Sequence, residues 1–168
     1  MDEKIKNKLE KIKMLAMDID GTLTDGGMYY SAQGDTMKKF YVRDGMGIDL
    51  LQRTGILTAF ITSEQSEIVT ARAKKLKISK VVLGSWTKDE DLIKIAEEFG
   101  LKMDEVAFIG DDINDIPAFK VAGFRACPSD ASPLVHPFVD FISTKQGGHG
   151  AIREIAEMIL NAKNISLF

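Results

Sequence analysis

Met14-Leu15-Ala16-Met17-Asp18-Ile19-Asp20-Gly21-Thr22-Leu23-Thr24 is the stretch on which the reading of this chain turns. It opens apolar, as a strand buried on both faces of a parallel sheet does, and a strand is expected over residues 14–19. Two carboxylates, Asp18 and Asp20, then interrupt it. Side chains alternate faces along a strand, so both would point the same way if the strand ran on. Gly21 lets the backbone turn just after them. Like charges at the end of a central strand oppose each other's ionisation. A divalent cation or a proton-transfer task removes that objection, and a strand end with two solvated aspartates is the simpler alternative.

Around this stretch the chain alternates. Helical spacing of Ile5, Leu9 and Ile12 predicts an amphipathic helix over 3–13. Further helices are expected over 43–53, 65–76, 88–99, 113–121 and 150–163, with Pro117 early enough in its helix to be tolerated. Buried strands are expected over 56–61, 81–83, 106–109, 124–127 and 139–142. Strands alternating with helices argue for an α/β fold, a doubly wound parallel sheet, in a single domain spanning 1–168. One element breaks the rhythm. Two β-prone runs, Gly26 to Tyr30 and Thr36 to Tyr41, flank a polar turn and read as a β-hairpin over about 26–41. Exposing Met28, Tyr29, Tyr30, Phe40 and Tyr41 would create a large apolar patch, which points to packing against other subunits.

Composition narrows the function classes. The chain has 168 residues, 45% apolar and 28% charged, which suits a globular domain with a real core. Its net charge is -3 and it has no basic cluster outside the N-terminus, so nucleic acid is not an expected partner. No apolar run reaches the length of a membrane span, and the start, Asp2-Glu3-Lys4-Ile5-Lys6, is no secretory signal. The one cysteine, Cys127, excludes an internal disulfide framework and fits a reducing compartment, so a cytoplasmic location is expected.

In a doubly wound sheet, ligands bind beyond the carboxyl ends of the strands. The residues expected there are Asp18 and Asp20, then Thr62 and Ser63, then Lys88, then Gly110-Asp111-Asp112-Ile113-Asn114-Asp115. Singly, each has an ordinary explanation. Thr62 can end a strand, Lys88 can be solvated, and an aspartate can cap a helix. A lysine in a first helical turn opposes the helix dipole, however, and calls for a reason. Together, carboxylates, a hydroxyl and a lysine are the equipment of magnesium-assisted phosphoryl transfer.

These residues in this order resemble the four motifs of the haloacid-dehalogenase-type phosphatases, and the resemblance spans nearly the whole chain. The segment Thr24 to Tyr30, the run Phe40 to Ile48 and the tail Gly147-Gly148-His149-Gly150-Ala151-Ile152-Arg153-Glu154 are similar to the capless branch that includes 3-deoxy-D-manno-octulosonate 8-phosphate phosphatase. Related members of that branch act on nine-carbon keto-deoxy sugar acid 9-phosphates. The resemblance implies that Asp18 is the nucleophile, forming an aspartyl-phosphate, and that Asp20 is the general acid and base. It implies Mg²⁺ held by Asp18, the Asp20 backbone carbonyl and Asp111, with Asp112 and Asp115 around it. It assigns the phosphoryl group to Thr62 and Lys88. Ser63 departs from the glycine common after the motif threonine. Glu64, Arg72 and Lys75 look more like the nine-carbon enzymes. Arg72 and Lys75 lie three apart on one expected helix and would meet the substrate carboxylate, unless they are ordinary surface charges. His149 is a further candidate for a substrate contact. The resemblance also implies a homotetramer in which the hairpins pack together and neighbours roof each active site.

Two other readings fit less of the chain. A receiver domain shares the acidic residues, threonine and lysine but places its acceptor aspartate after the third strand. A non-catalytic assembly module related to sugar-activating enzymes would have lost the aspartates retained here. The hairpin reading carries its own test: sedimentation at micromolar concentration is expected to give a species larger than a monomer, and a monomer would refute it.

Overall fold

The computed structural model describes residues 2–166. At its centre runs β1 (Met14–Met17), with β4 (Leu57–Ile61) on one side and β6 (Val106–Ile109) on the other, both parallel to it. β5 (Lys80–Val82) extends the sheet beyond β4, and β7 (Phe124–Cys127) and β8 (Phe141–Ile142) extend it beyond β6. The six-stranded order is β5-β4-β1-β6-β7-β8. The chain therefore winds outward in one direction from β1 through β5 and returns to start again at β6. The switch between β1 and β6 opens a crevice at their carboxyl ends.

Burial explains why the strands are apolar throughout. Leu15 and Met17 enter one core with Ala107 and Ile109, while Met14 and Ala16 enter the opposite core with Val106 and Phe108. The first core is covered by α1 (Glu3–Lys11), α2 (Val42–Arg53), α3 (Glu67–Leu76) and α6 (Ala151–Ala162). The second is covered by α4 (Lys88–Glu98) and α5 (Ile116–Val121). In α6 the buried residues Ile152, Ile155, Ala156, Ile159 and Leu160 recur at helical spacing and form one apolar face. Its N-terminus is capped from outside: the buried Asp44 carboxylate accepts the backbone N–H groups of Gly150 at 3.2 Å and Arg153 at 2.9 Å. None of the described helices is long and apolar enough to cross a membrane.

The α/β class, the parallel sheet and the inserted hairpin match the sequence reading; several element ends shift by one or two residues, and four differences have a structural reason. β1 ends at Met17 rather than at 19, because the chain turns through Ile19 to Thr22. The expected helix 113–121 divides into a 3₁₀ turn, Ile113–Asp115, and α5, in which Pro117 lies in the first turn. The last strand shrinks from 139–142 to Phe141–Ile142, because a 3₁₀ turn occupies Pro133–Phe138 and Asp140 is drawn into side-chain bonds. The hairpin pairs only over β2 (Tyr29–Ser31) and β3 (Gly34–Met37), with one isolated bridge between Thr24 and Phe40 nearer its root. Its exposed apolar residues are Met28, Tyr29, Tyr30 and Met37. Phe40 and Tyr41, expected on the same exposed patch, are half-buried instead. Phe40 packs against the first core beneath the Arg72 guanidinium, 5.2 Å from its ring centre.

Asp140 fastens the sheet edge to α1. It accepts from Arg125 Nη2 at 2.8 Å, from Arg125 Nε at 3.1 Å and from Lys8 Nζ at 2.8 Å. Burial pushes its carboxyl up, but the hydrogen bonds from Arg125 and Lys8 outweigh this and hold it below the usual aspartate range. A depressed carboxylate stabilises the fold above its unfolded-state value, and that contribution is lost as pH falls through the folded-state value. Asp140→Asn is expected to cost about 1–3 kcal/mol at neutral pH, the scale of hydrogen bonds to charged groups. Urea unfolding at pH 7 and in acid checks it, with the gap between the two proteins closing in acid.

Candidate active site

Three loops meet at the crevice. Asp18 follows β1 directly, and its N–H still bonds the Ile109 carbonyl at 2.9 Å, so it is held as firmly as a strand residue. Thr62 follows β4, with its N–H on the Val82 carbonyl at 3.0 Å. Asp111 follows β6 and Gly110. Asp18, Asp20, Thr62, Ser63, Glu64, Asp111, Asp112 and Asn114 together line a cavity of about 170 Å³.

Lys88 closes the floor of this group. It is the first residue of α4, and its side chain is 1% exposed. Its Nζ donates to Asp18 Oδ1 and to Asp115 Oδ1, each at 2.6 Å. That double pairing explains a cation at a helix N-terminus, where the dipole alone disfavours it. Burial opposes the Lys88 charge, but Asp18 and Asp115 outweigh it and hold the ammonium above the usual lysine range.

Asp115 is the organiser of the β6 loop. It is fully buried, and its Oδ2 accepts the backbone N–H groups of Asp111 at 2.9 Å and Asp112 at 3.3 Å. One carboxyl group thus aims both Lys88 and the loop that carries Asp111. A side chain at Gly110 would run into this carboxyl group, so only glycine fits there. Asp112 is exposed at the mouth and caps the 3₁₀ turn, accepting from the Ile113 N–H at 2.8 Å.

The charge balance of the group calls for a cation. Ligand atoms of Asp18, Asp111 and Asp115 lie within 4.8 Å of one another. Burial, then the neighbouring charge of Asp115, pushes Asp18 well above the usual carboxylate range despite Lys88. The same two causes push Asp111 up to about 7. Three carboxylates against one ammonium leave negative charge that a divalent cation would neutralise. Both oxygens of Asp115 are engaged. Asp18 gives Oδ1 to Lys88, and Asp111 gives Oδ1 to Thr22 Oγ1 at 3.1 Å, so each has its Oδ2 to offer. An all-oxygen donor set of this kind suits magnesium.

The remaining sequence candidates divide. Glu64 lines the cavity, its N–H bonded to Thr62 Oγ1 at 3.2 Å. Ser63 lines it too, with its Oγ accepting from Asn114 Nδ2 at 3.3 Å. Arg72 and Lys75 do not line it. Arg72 lies over Phe40, and Lys75 is exposed. His149 lines a different cleft of about 390 Å³ with Tyr41, Arg43 and Arg153, and its Nε2 is 3.3 Å from Lys39 Nζ. Two residues the sequence reading passed over also reach the group. Thr22 bonds Asp111, and Lys38, from the hairpin, bonds Asp20 Oδ1 at 2.6 Å. Thr22 carried a signal in its place directly after Gly21. Lys38 carried none, since a polar residue in a hairpin is ordinarily solvated.

Comparison with known proteins places the chain in a family. Residues 41–123 match the model of the haloacid dehalogenase-like hydrolases. A 3-deoxy-D-manno-octulosonate 8-phosphate phosphatase from Haemophilus influenzae is 38% identical over 162 residues, 96% of this chain and 90% of that protein. The chain belongs to the haloacid dehalogenase-like hydrolases. Within this hydrolase family, the enzyme of the same name from Escherichia coli K12 is 34% identical over 93% of this chain and 83% of its own. A solved structure of the Moraxella catarrhalis phosphatase, in complex with magnesium ion, phosphate ion and a KDO molecule, superposes with a TM-score of 0.94. It is 39% identical, covering 98% of this chain and 94% of that one. The cobalt-bound Haemophilus influenzae enzyme superposes with a TM-score of 0.92 at 38% identity, covering 94% and 92%.

The first loop of the site, Asp18 to Thr24, is pinned from an unexpected quarter. The tail loop presses on it, with the Gly148 N–H on the Thr22 carbonyl at 3.1 Å. A Cβ at Gly147 would overlap the Gly21 carbonyl oxygen. Gly147→Ala is expected to displace the Asp18–Thr24 loop and lower the melting temperature, with a cost of about 1–3 kcal/mol from overpacking. A thermal scan of the two proteins checks it, and an unchanged midpoint would refute the contact's importance.

Proposed function

We propose that the protein is a magnesium-dependent phosphatase that hydrolyses 3-deoxy-D-manno-octulosonate 8-phosphate. The observation that carries this is the buried Lys88 ammonium shared between Asp18 and Asp115, at the edge of a cavity that Asp18, Asp20, Thr62 and Asp111 line. The relatives named for this activity match almost the whole chain, and one solved neighbour was obtained with magnesium, phosphate and the sugar product.

In this reading the Asp18 carboxylate attacks phosphorus and takes the phosphoryl group as an aspartyl-phosphate, splitting one hard displacement into two easier ones. Lys88 and Thr62 hold the non-transferred oxygens, and Lys88 keeps Asp18 aimed. Asp20 donates a proton to the departing sugar oxygen, then takes one from the water that hydrolyses the intermediate. Asp18, Asp111 and the Asp20 backbone carbonyl would hold magnesium, which would supply positive charge against the phosphoryl oxygens. Asp112 and Asp115 orient that group from outside. Glu64, at the cavity wall, is the rim residue nearest a role in choosing the sugar. Arg72, Lys75 and His149 would contribute only where assembly brings them to a neighbour's cavity.

The exposed residues Met28, Tyr29, Tyr30 and Met37 support assembly through the hairpins into a homotetramer, which would roof cavities that have no cap. The one sheet with a core on each face supports a single domain. The buried Cys127, whose thiol burial pushes up to about 11, supports a cytoplasmic setting.

Phosphate release is the test. Asp18→Asn is expected to lower turnover by at least about 1,000-fold, as loss of a nucleophile does, and excess EDTA to abolish it reversibly. Full activity in EDTA would end the magnesium assignment. Catalytic efficiency on octulosonate 8-phosphate is expected to exceed that on a nonulosonate 9-phosphate by at least about tenfold, or about 1.4 kcal/mol. The reverse preference would assign the nine-carbon substrate.

A further inference from the structure

We infer that Lys38 is a positioning residue for Asp20, clamping one oxygen of that carboxyl group and so fixing the group's orientation at the cavity. The inference rests on the reading of Asp20 as proton donor.

Lys38 directly follows β3, on the strand of the hairpin that returns to the sheet. Its neighbours Met37 and Lys39 are exposed, whereas its own side chain is 1% exposed. A lysine is buried only when its charge is met. Here Nζ lies 2.6 Å from Asp20 Oδ1 and 3.3 Å from Asp35 Oδ2. Asp35 Oδ2 also accepts from Ser66 Oγ at 3.4 Å, and Ser66 directly precedes α3. One ammonium thus ties together the catalytic loop, the hairpin and, through Asp35, the start of α3.

The two oxygens of Asp20 are treated differently. Oδ1 holds Lys38, while Oδ2 is buried and has no hydrogen-bond partner among the described residues. A buried acceptor left without a donor is costly, and the structure keeps it that way on the residue that lines the cavity beside Asp18. With Lys38 on Oδ1 and Oδ2 enclosed, rotation of the carboxyl group is restrained and Asp20 keeps one orientation at the cavity wall. The step balances: the Asp18–phosphorus bond forms as the bond from phosphorus to the sugar oxygen breaks, and the Asp20 carboxyl proton passes to that oxygen as it leaves. Holding a catalytic group in its productive orientation is worth a large factor in rate. Because the clamp comes from the hairpin, hairpin placement and proton donation are linked through one side chain.

The test exploits leaving groups. 3-Deoxy-D-manno-octulosonate 8-phosphate expels an alkoxide and needs the proton, whereas 2,4-dinitrophenyl phosphate expels a stable phenolate and does not. kcat/KM is measured on both for the wild type, Lys38→Met, Lys38→Gln, Lys38→Arg and Asp20→Asn. Lys38→Met is expected to lose about 10- to 100-fold on the sugar phosphate, within the range general acid catalysis supplies, and less than about threefold on the aryl phosphate. Lys38→Arg, which keeps a charged donor, is expected to recover part of the loss. A merely structural lysine would lower both substrates by the same factor, and that result, or no loss at all, overturns the proposal. Lys38→Gln is read in the same way, so that a folding failure of Lys38→Met leaves the question decidable. Asp20→Asn separates the two layers. If it too loses equally on both substrates, the reading of Asp20 as proton donor falls; if it is selective and the Lys38 variants are not, only the clamp falls.

Discussion

The buried ammonium of Lys88 is the constraint around which this molecule is arranged. It sits between two carboxylates at 2.6 Å each, with almost no contact with solvent. Such a pairing tolerates no loose member, because removing one partner of a buried pair strands the other charge, at about 3–5 kcal/mol. The three residues come from three places in the chain: the end of β1, the start of α4 and the turn after β6. The pairing therefore requires the sheet to be assembled in the right order. It also fixes the direction of the first turn of α4, the conformation of the loop after β6 and the rotamer of Asp18.

The cluster keeps more acid than base, and this has a chemical use. The nucleophilic role proposed for Asp18 requires it ionised, yet burial and Asp115 favour its protonated form. Lys88 opposes that tendency only in part, and the remainder falls to a divalent cation. In the proposed mechanism, metal binding and activation of Asp18 are then one electrostatic event, since the cation that satisfies Asp111 would also restore the charge on Asp18.

Much of this was legible before the coordinates. Asp18, Asp20, Thr62 and Asp111 each stand where a hydrophobic strand gives way to polar residues, and strand ends in a doubly wound sheet converge on one crevice. Lys88 was legible through its conflict with the helix dipole. Contacts made at right angles to the chain's pattern were not. The spacing of Arg72 predicts its helix face but says nothing of Phe40, which arrives from the root of the hairpin to lie beneath it. Phe40 was for the same reason expected on an exposed patch. Lys38 reads as a solvated strand residue until the hairpin is folded back over Asp20. Asp112 and Asp115 looked equivalent as acidic residues of one motif, and only the 3₁₀ turn between them sends one to the mouth and the other beneath Lys88.

The backbone contact between the tail glycines and the first loop has a consequence in time. The Gly148 N–H supports the Thr22 carbonyl, and Gly147 lies flat against Gly21, although these partners are far apart in the sequence. A ribosome delivers the loop that carries Asp18 well before its buttress. A nascent chain therefore carries that loop unbraced until Gly147 and Gly148 have been made, and the crevice is complete only after that.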